Sequence, residues 1–311
     1  MTQLVELHHG LSELSADGIK LYAISYDDVD ALAAYVDASG VEFTMLSDVG
    51  SEVIRRYDVL NTIVQPNDVP FYGIPFPGFF LLDEDGVIVD KIFNRHLAHR
   101  EGIERILDSF RGRIEPGSDD PSGSAREDDG IEITAFVRGG GGVLKLGPLR
   151  RLVVRFELPH GLHIYDRPVP EGMVATSIEV TGPDGLRYDP IQSPPTVPLA
   201  LPGVDQPLQV WSGTVDFVIP FFANSEFARA LFTNDGSVAL EVNVRYQACD
   251  DEQCFLPKTR TISLDVPVEF GVMPAFAGMK DKSPNVVGMD STAHMQRLFQ
   301  RKAAELDSGS S

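Results

Sequence analysis

Tyr246-Gln-Ala-Cys-Asp-Asp-Glu-Gln-Cys-Phe-Leu-Pro257 holds both cysteines of a 311-residue chain, Cys249 and Cys254. Before it, Val238–Tyr246 alternates apolar and polar residues, and after it Thr259–Val266 does the same. A period of two marks a half-buried strand. The cysteines therefore sit where one strand turns into the next. The Cα atoms of a disulfide lie about 4.4–6.8 Å apart, whereas five extended steps span roughly 17 Å. Only a chain that doubles back can join them, and a hairpin tip does that.

Working outward, strands without helices are predicted over Ile131–Arg138, Arg151–Leu158, Thr176–Thr181 and Gln209–Ile219, besides the two that flank the cysteines. Turn signals separate them at Gly139–Gly142, Pro183-Asp-Gly185 and Asn234-Asp-Gly236. That spacing predicts an all-β, immunoglobulin-like antiparallel sandwich over 131–270. The four glycines lack the Gly-Lys-Ser/Thr of a phosphate cradle and read as a mobile hairpin loop. Phe221–Leu231 is expected to add a short helix. Pro194–Pro207 reads as an irregular crossing, too poor in ladder donors for a central strand.

Upstream, Glu115–Gly130 is rich in Pro, Gly, Ser and acids, and is expected to lie in a flexible linker over 113–130. Residues 1–112 alternate strands and helices. Leu4, Leu7, Leu11 and Leu14 mark a helix face over Gln3–Leu14, and Ile19–Ser25 reads as a strand. Helices are expected at Asp27–Ser39, Ser51–Tyr57 and Arg100–Phe110, with a strand at Phe43–Leu46. Gly78–Leu82 and Val87–Phe93, joined at Asp83-Glu-Asp-Gly86, form a predicted hairpin. The order is α/β, with helices covering a sheet. Residues 271–311 read as a tail to which no function is assigned. Met295, Leu298, Phe299 and Ala303 suggest one short helix over Ala293–Leu306, and Ser308–Ser311 is expected to be disordered.

The chain carries 46 acidic and 26 basic residues, a net charge of −20. Duplex binding needs clustered Lys and Arg to displace counterions, so nucleic acid and anionic membrane are poor partners. No apolar run approaches the ~20 residues of a membrane span, and Met1–Gly10 has neither the basic nor the apolar region of a signal peptide.

Two cysteines this close fit a redox pair, a structural disulfide or half a metal site. The thiolate is the attacking species in thiol–disulfide exchange. Asp250, Asp251 and Glu252 oppose a nearby thiolate, so the couple is expected to be reducing. As a staple, so small a loop stabilises by only ~2 kcal/mol. His160 and His163 would complete a zinc-type set, yet their odd separation sends them to opposite faces of a strand. His96 and His99 share that spacing in the other half. No metal is expected, and no cofactor, since no nucleotide loop or hydrolase elbow is present.

The α/β half resembles the thioredoxin-like fold in its peroxiredoxin-like redoxin (AhpC/TSA) branch. The resemblance rests on Gln3-Leu-Val-Glu-Leu-X6-Leu14, Gly18–Ser25, Phe43–Asp48 with Arg56-Tyr-Asp-Val59, and Pro77–Gly86. It implies a cis-proline at Pro77. It also implies a first strand and a reactive cysteine just before Gln3, and neither cysteine lies in 1–112. Two accounts are open: the reading frame begins upstream of Met1, or the segment is a degenerate docking module. The first is favoured, because a sheet missing a central strand leaves backbone groups unpaired.

Tyr246-Gln-Ala-Cys-X4-Cys-Phe-Leu-Pro257, with Pro159–Tyr165 and Gly172–Thr176, resembles the N-terminal periplasmic domain of the thiol:disulfide interchange protein DsbD. That resemblance implies that Cys249 and Cys254 cycle between disulfide and dithiol. It further implies a mixed disulfide with a protein partner, Cys254 as the sulfur that attacks or is attacked, and an extracytoplasmic location. Tyr165, Asp166, Tyr246 and Phe255 are the candidate neighbours of the pair. The reading is a two-domain thiol–disulfide oxidoreductase. Its alternative is a non-catalytic protein-binding module with a structural disulfide.

Overall fold

The computed structural model describes residues 2–269 except 66, 69–70, 95–98, 128, 201–205, 225–235 and 251. Beyond residue 270 it describes only short pieces (273–274, 286–287, 295–296, 299–300, 303–304). The chain divides into two compact units, Met1–Arg113 with Phe270–Ser311, and Ile114–Glu269.

The first unit is α/β, as its alternation predicts. Its elements run α1 (Thr2–His9), α2 (Leu11–Ala16), β1 (Tyr22–Ser25), α3 (Val29–Ser39), β2 (Thr44–Ser47), α4 (Glu52–Arg56), β3 (Gly78–Leu82), β4 (Ile88–Phe93) and α5 (Ile103–Arg111). The single helix expected over Gln3–Leu14 is broken at Gly10. A Cβ there would stand 2.2 Å from Ile103 Cδ1, so α5 packs where the side chain is missing. Asp28 caps α3 by accepting from the Ala31 amide, and Gly40 ends it in the left-handed region that glycine enters freely.

β1 pairs with β2 in parallel, and β3 with β4 as a hairpin. Among the described residues no strand joins these two ladders. Both nevertheless pack on one apolar cluster of Leu7, Leu14, Tyr35, Val41, Phe43, Ile103, Ile106 and Leu107, with Ala23, Met45, Phe79 and Leu81 against it. The bond before Pro77 is trans, which corrects the cis expectation. The Phe76 backbone N–H donates a hydrogen bond to Val59 O, and trans is the ordinary preference of such a peptide. The cis bond among the described residues is Arg167–Pro168.

The second unit is a β-sandwich. Its strands are β5 (Ser122–Arg126), β6 (Glu132–Arg138), β7 (Arg150–Glu157), β8 (His163–Tyr165), β9 (Ser177–Thr181), β10 (Leu186–Tyr188), β11 (Val197–Leu199), β12 (Leu208–Ser212), β13 (Thr214–Ala223), β14 (Ser237–Tyr246), β15 (Ala248–Cys249) and β16 (Lys258–Pro267). They form three sheets, ordered β10-β13-β7-β6-β5, β11-β12-β8-β15 and β16-β14-β9. The strand expected over Gln209–Ile219 is two strands, parted at Gly213 with its positive φ. Val197–Leu199 is an edge strand within the Pro-rich crossing, a place where proline costs no ladder bond. Phe221–Ala223 belongs to β13, not to a helix, and the remainder of that expected helix lies almost wholly outside the described residues. A two-residue parallel pair, β17 (Met273–Pro274) with β18 (Val286–Val287), lies beyond the sandwich, and most of the expected tail helix lies outside the described residues.

All three sheets feed one core. Val154 and Phe156 of β7, Ile164 of β8, Trp211 of β12, Leu240 and Val242 of β14 and Leu264 of β16 are all buried within it. Phe156 meets Phe217 and Tyr246 edge-on at 5.9 and 5.3 Å, the arrangement that ring quadrupoles favour. β7 is buried on both faces, because Val153 packs with Phe136, Val218 and Ile114 on the other side.

The stretch expected to be a flexible linker is part of this unit. Ile114 O accepts from Arg155 Nη2 at 2.7 Å, and buried Asp120 pairs with Arg138 at 3.6 Å. Residues 122–126 then form β5 on the edge of β6. Polar composition hides an alternation here: Ser122, Ser124 and Arg126 face outward, Gly123 and Ala125 inward. The inward residues are small because β16 lies against them, and a Cβ on Gly123 would meet Ile262 Cγ2 at 2.8 Å.

The end of the same stretch is fastened by charge. Glu127, whose side chain is 4% exposed, bonds Arg260 and lies 3.1 Å from Lys258 Nζ, which also reaches Asp129 at 2.8 Å. Burial opposes ionisation of Glu127, but the bonds from Arg260 and Lys258 outweigh it and hold its carboxyl below the ordinary value. A depressed carboxylate stabilises the fold above its unfolded-state pKa, and that stability is lost as pH falls through the folded value. Glu127→Gln is therefore expected to cost about 1–2 kcal/mol near neutrality, discounted for the half-exposed cations, and to flatten the acid limb of stability below about pH 4.5. Chemical unfolding followed by Trp211 fluorescence across pH 3–7 measures both, since Trp211 is the only tryptophan and is buried in this core.

Candidate functional site

β14 and β16 pair without interruption from Ser237↔Pro267 to Tyr246↔Lys258, so residues 247–257 form the tip of that hairpin. The tip leaves its own sheet. Ala248 pairs with Ile164 and Cys249 with His163, which stitches β15 onto β8 of the neighbouring sheet. Gln247, nearly buried, braces the change of sheet: its Oε1 accepts from Val174 N and its Nε2 donates to Phe255 O, both at 2.9 Å. Phe255 N then donates to Ala248 O at 2.9 Å and Asp250 N to Gln253 O at 3.0 Å. The doubled-back strand required by the cysteine spacing is thus built from three short-range bonds and held to a distant segment by the fourth, from Val174.

Cys249 and Cys254 are joined as a disulfide, with Cα atoms 4.1 Å apart. The two halves of the bond differ in access. Cys249 is 1% exposed and packs with Tyr165, Leu208 and Val210, while Cys254 lies on the exposed side of the tip. Leu256, two residues further on, is 85% exposed and presents an apolar side chain on the same hairpin tip.

Asp250 is committed to the backbone of the loop. Asp250 Oδ1 accepts from the amides of Glu252 and Gln253 at 2.8 and 2.7 Å, closing the turn. Those bonds hold its carboxyl below the ordinary aspartate value, so it is ionised wherever the protein is folded near neutrality. Glu252 is exposed, and Asp251 lies outside the described residues.

Of the four expected neighbours, Tyr165 is brought against Cys249. Phe255 adjoins Cys254 in sequence and packs toward the main core. Tyr246 points away into that core, where burial and the nearby Glu127 and Asp129 carboxylates push its phenol far up. Asp166 bonds the Arg167 amide and shows no tie to the disulfide. His163 is the neighbour that sequence reasoning missed. It is 8% exposed, lies opposite Cys249 across the β8–β15 ladder, and shares a 2.8 Å hydrogen bond between its Nε2 and Tyr165 Oη. Its pairing comes from a contact between strands some 85 residues apart, which no local pattern encodes.

Among the described residues no group of three or more His, Cys, Asp and Glu is placed to hold a metal ion. His160 is exposed, and His96 lies outside the described residues. Among the described residues no helix is long and apolar enough to cross a membrane.

Comparison with known proteins adds two family matches. Residues 1–91 match the AhpC/TSA family, and residues 147–266 match the family of thiol:disulfide interchange protein DsbD, N-terminal. Among solved structures, the N-terminal periplasmic domain of ScsB from Proteus mirabilis is similar at 18% identity and a TM-score of 0.33, over 48% of this chain and 53% of that one. The reduced DsbD N-terminal domain of Neisseria meningitidis is similar at 14% identity and a TM-score of 0.25, over 50% of this chain and 93% of that one. The chain thus spans about half the length of the ScsB domain. No curated protein matches. The chain joins a thioredoxin-like AhpC/TSA segment to a DsbD N-terminal β-sandwich, and with the bonded cysteines this combination points to thiol–disulfide redox function.

Proposed function

We propose that this chain is a thiol–disulfide oxidoreductase whose working couple is Cys249/Cys254, with the AhpC/TSA segment serving an antioxidant or thiol-reducing role beside it. The observation that carries the reading is the unequal access of one disulfide: an exposed Cys254 bonded to a buried Cys249. A partner thiolate attacks Cys254 Sγ, the S–S bond breaks, and Cys249 leaves as thiolate. A second partner thiol, or Cys249 itself in the return direction, resolves the mixed disulfide. Leu256 supplies an apolar contact for a protein partner at the point of attack. An extracytoplasmic setting, where disulfides persist, suits such a couple.

The sign of the couple follows from charge. Glu252 and the ionised Asp250 stand in the same loop as the sulfurs and oppose a thiolate, so they favour giving electrons away. Equilibration in graded dithiothreitol buffers, with alkylation to count free thiols, is expected to return a potential well below the strongly oxidising end near about −120 mV. A value at that end would overturn the sign and leave an oxidising couple, whereas a pair that stays oxidised in every buffer would leave the disulfide as a staple of a protein-binding module.

A further inference from the structure

We infer that His163 is the proton carrier for Cys249, an inference that rests on the electron-transfer reading above. β8 places His163 directly across from Cys249, and Tyr165, two residues along on the same face, packs against that cysteine. The imidazole and phenol meet edge-on, ring centroids 5.2 Å apart at 82°, with Nε2 and Oη 2.8 Å apart. All three side chains are buried: His163 is 8% exposed, Cys249 1% and Tyr165 0%. Tyr165 faces His163 from its own strand, Cys249 from β15 with Asp250 just after that strand's end, and β12 opposes it with uncharged Ser212.

The chemistry needs such a group. When a partner thiolate attacks Cys254, the electron pair of the broken S–S bond goes to Cys249 Sγ. A thiolate at a site this buried is costly, because desolvation penalises the charged form. Imidazole is the side chain that changes charge near neutral pH, and one stands beside the leaving sulfur. The step balances as partner thiolate plus disulfide plus His163 imidazolium, giving mixed disulfide, Cys249 thiol and neutral His163, which regains its proton from solvent. In the return direction neutral His163 takes the Cys249 proton as that sulfur attacks. Tyr165 suits both states of the ring: its hydroxyl oxygen accepts from Nε2–H in imidazolium and in neutral imidazole alike, which leaves Nδ1 to give and take the proton. Burial pushes the phenol up, so it stays protonated throughout.

Two measurements test this on the full chain. The first follows the His163 ring resonances by NMR as pH is varied, in the oxidised and in the reduced protein. Reduction places a titrating sulfur beside the ring, so in the reduced protein the His163 ring resonances are expected to show a second inflection at higher pH, as Cys249 ionises, that the oxidised protein lacks. The second compares the pH profile of disulfide reduction by dithiothreitol in the wild type and in His163→Gln, whose amide still reaches Tyr165. The wild type is expected to show an inflection between about pH 5 and 8 that the variant lacks, with at least about a tenfold slower reaction at the acid end of that range. A His163 titration curve that is identical in both redox states overturns the inference, as does an unchanged profile in the variant, and either leaves the electron-transfer reading standing. No exchange in the wild type removes that reading, and this inference with it. Should the variant fail to fold, the wild-type NMR titration decides alone.

Discussion

Incubated with glutathione disulfide, the Cys249→Ser variant is expected to take up one glutathione on Cys254, while Cys254→Ser reacts at Cys249 at least about a hundredfold more slowly. Each variant keeps one thiol of the same hairpin, so the comparison isolates access. Cys254 lies on the exposed side of the tip, whereas Cys249 is 1% exposed under Tyr165, Leu208 and Val210. Reaching it means parting the tip from β8, breaking the Ala248↔Ile164 and Cys249↔His163 pairing. A local opening of about 3 kcal/mol reduces the reactive fraction by roughly a hundredfold. Mass spectrometry of timed, acid-quenched samples reads the adduct directly. In Cys249→Ser the adduct should also persist, because the thiol that would displace it is gone. Equal rates in the two variants would show that the tip opens freely, and the assignment of Cys254 as the entry sulfur would fall. Folding should survive in both, since the closed loop stabilises by only ~2 kcal/mol.

The cysteine hairpin was legible because its two strands are long and alternate without a break. Leu240, Val242 and Val244 face the core from β14, and Ile262, Leu264 and Val266 answer them from β16. What the tip does next was not legible. β15 is two residues long, too short for any period, and it changes sheet because Gln247 finds partners in Val174 and Phe255. Those partners lie 73 and 8 residues away, and the first cannot be read from local pattern. A comparable sequence distance hid His163, whose sequence signal is its spacing from His160; the structure puts His160 in the turn before β8, so the two do not share a strand. The face it does occupy is the one that carries Cys249.

β5 was missed for a different reason. Its inward positions are Gly123 and Ala125, so the hydrophobic alternation that normally betrays a strand is absent. Close packing against β16 demanded small residues, and small residues look like a linker. Acidic residues strengthened that impression, although Asp120, Glu127 and Asp129 are paired with Arg138, Arg260 and Lys258. Charge reads as solvation until the partner is known. In the α/β unit, helix and strand order was legible from periodicity, while the separation of β1–β2 from β3–β4 is a property of pairing and leaves no mark on either strand's own pattern.

The four glycines of 139–142 give the other large expected effect. Their composition predicts a mobile loop, but they form a short turn closed around a buried arginine. Arg150 is 0% exposed, and its guanidinium donates from Nε to Val143 O at 2.7 Å and from Nη1 to Leu149 O at 3.1 Å. A Cβ on Gly140 would stand 2.1 Å from Arg150 Nη2, and Gly140 has φ +62°. Gly141 has nearly the same φ, +61°, but nothing within 4 Å of its Cβ. Gly141→Ala therefore meets only the left-handed backbone, a cost of about 1–2 kcal/mol. Gly140→Ala meets that cost and the arginine as well. A free guanidinium would swing aside cheaply, but this one is held by carbonyl bonds, and displacing it strands buried acceptors or its own charge. Overpacking of this kind adds about 1–3 kcal/mol, so Gly140→Ala is expected to lose about 2–5 kcal/mol in all. Urea unfolding of the two variants, followed by Trp211, compares them with the backbone term held in common. Equal losses would mean that Arg150 yields without cost and that the loop does not hold it. If the arginine is the cause, Arg150→Met should remove most of the excess in a double-variant cycle, since the clash and the stranded charge disappear together.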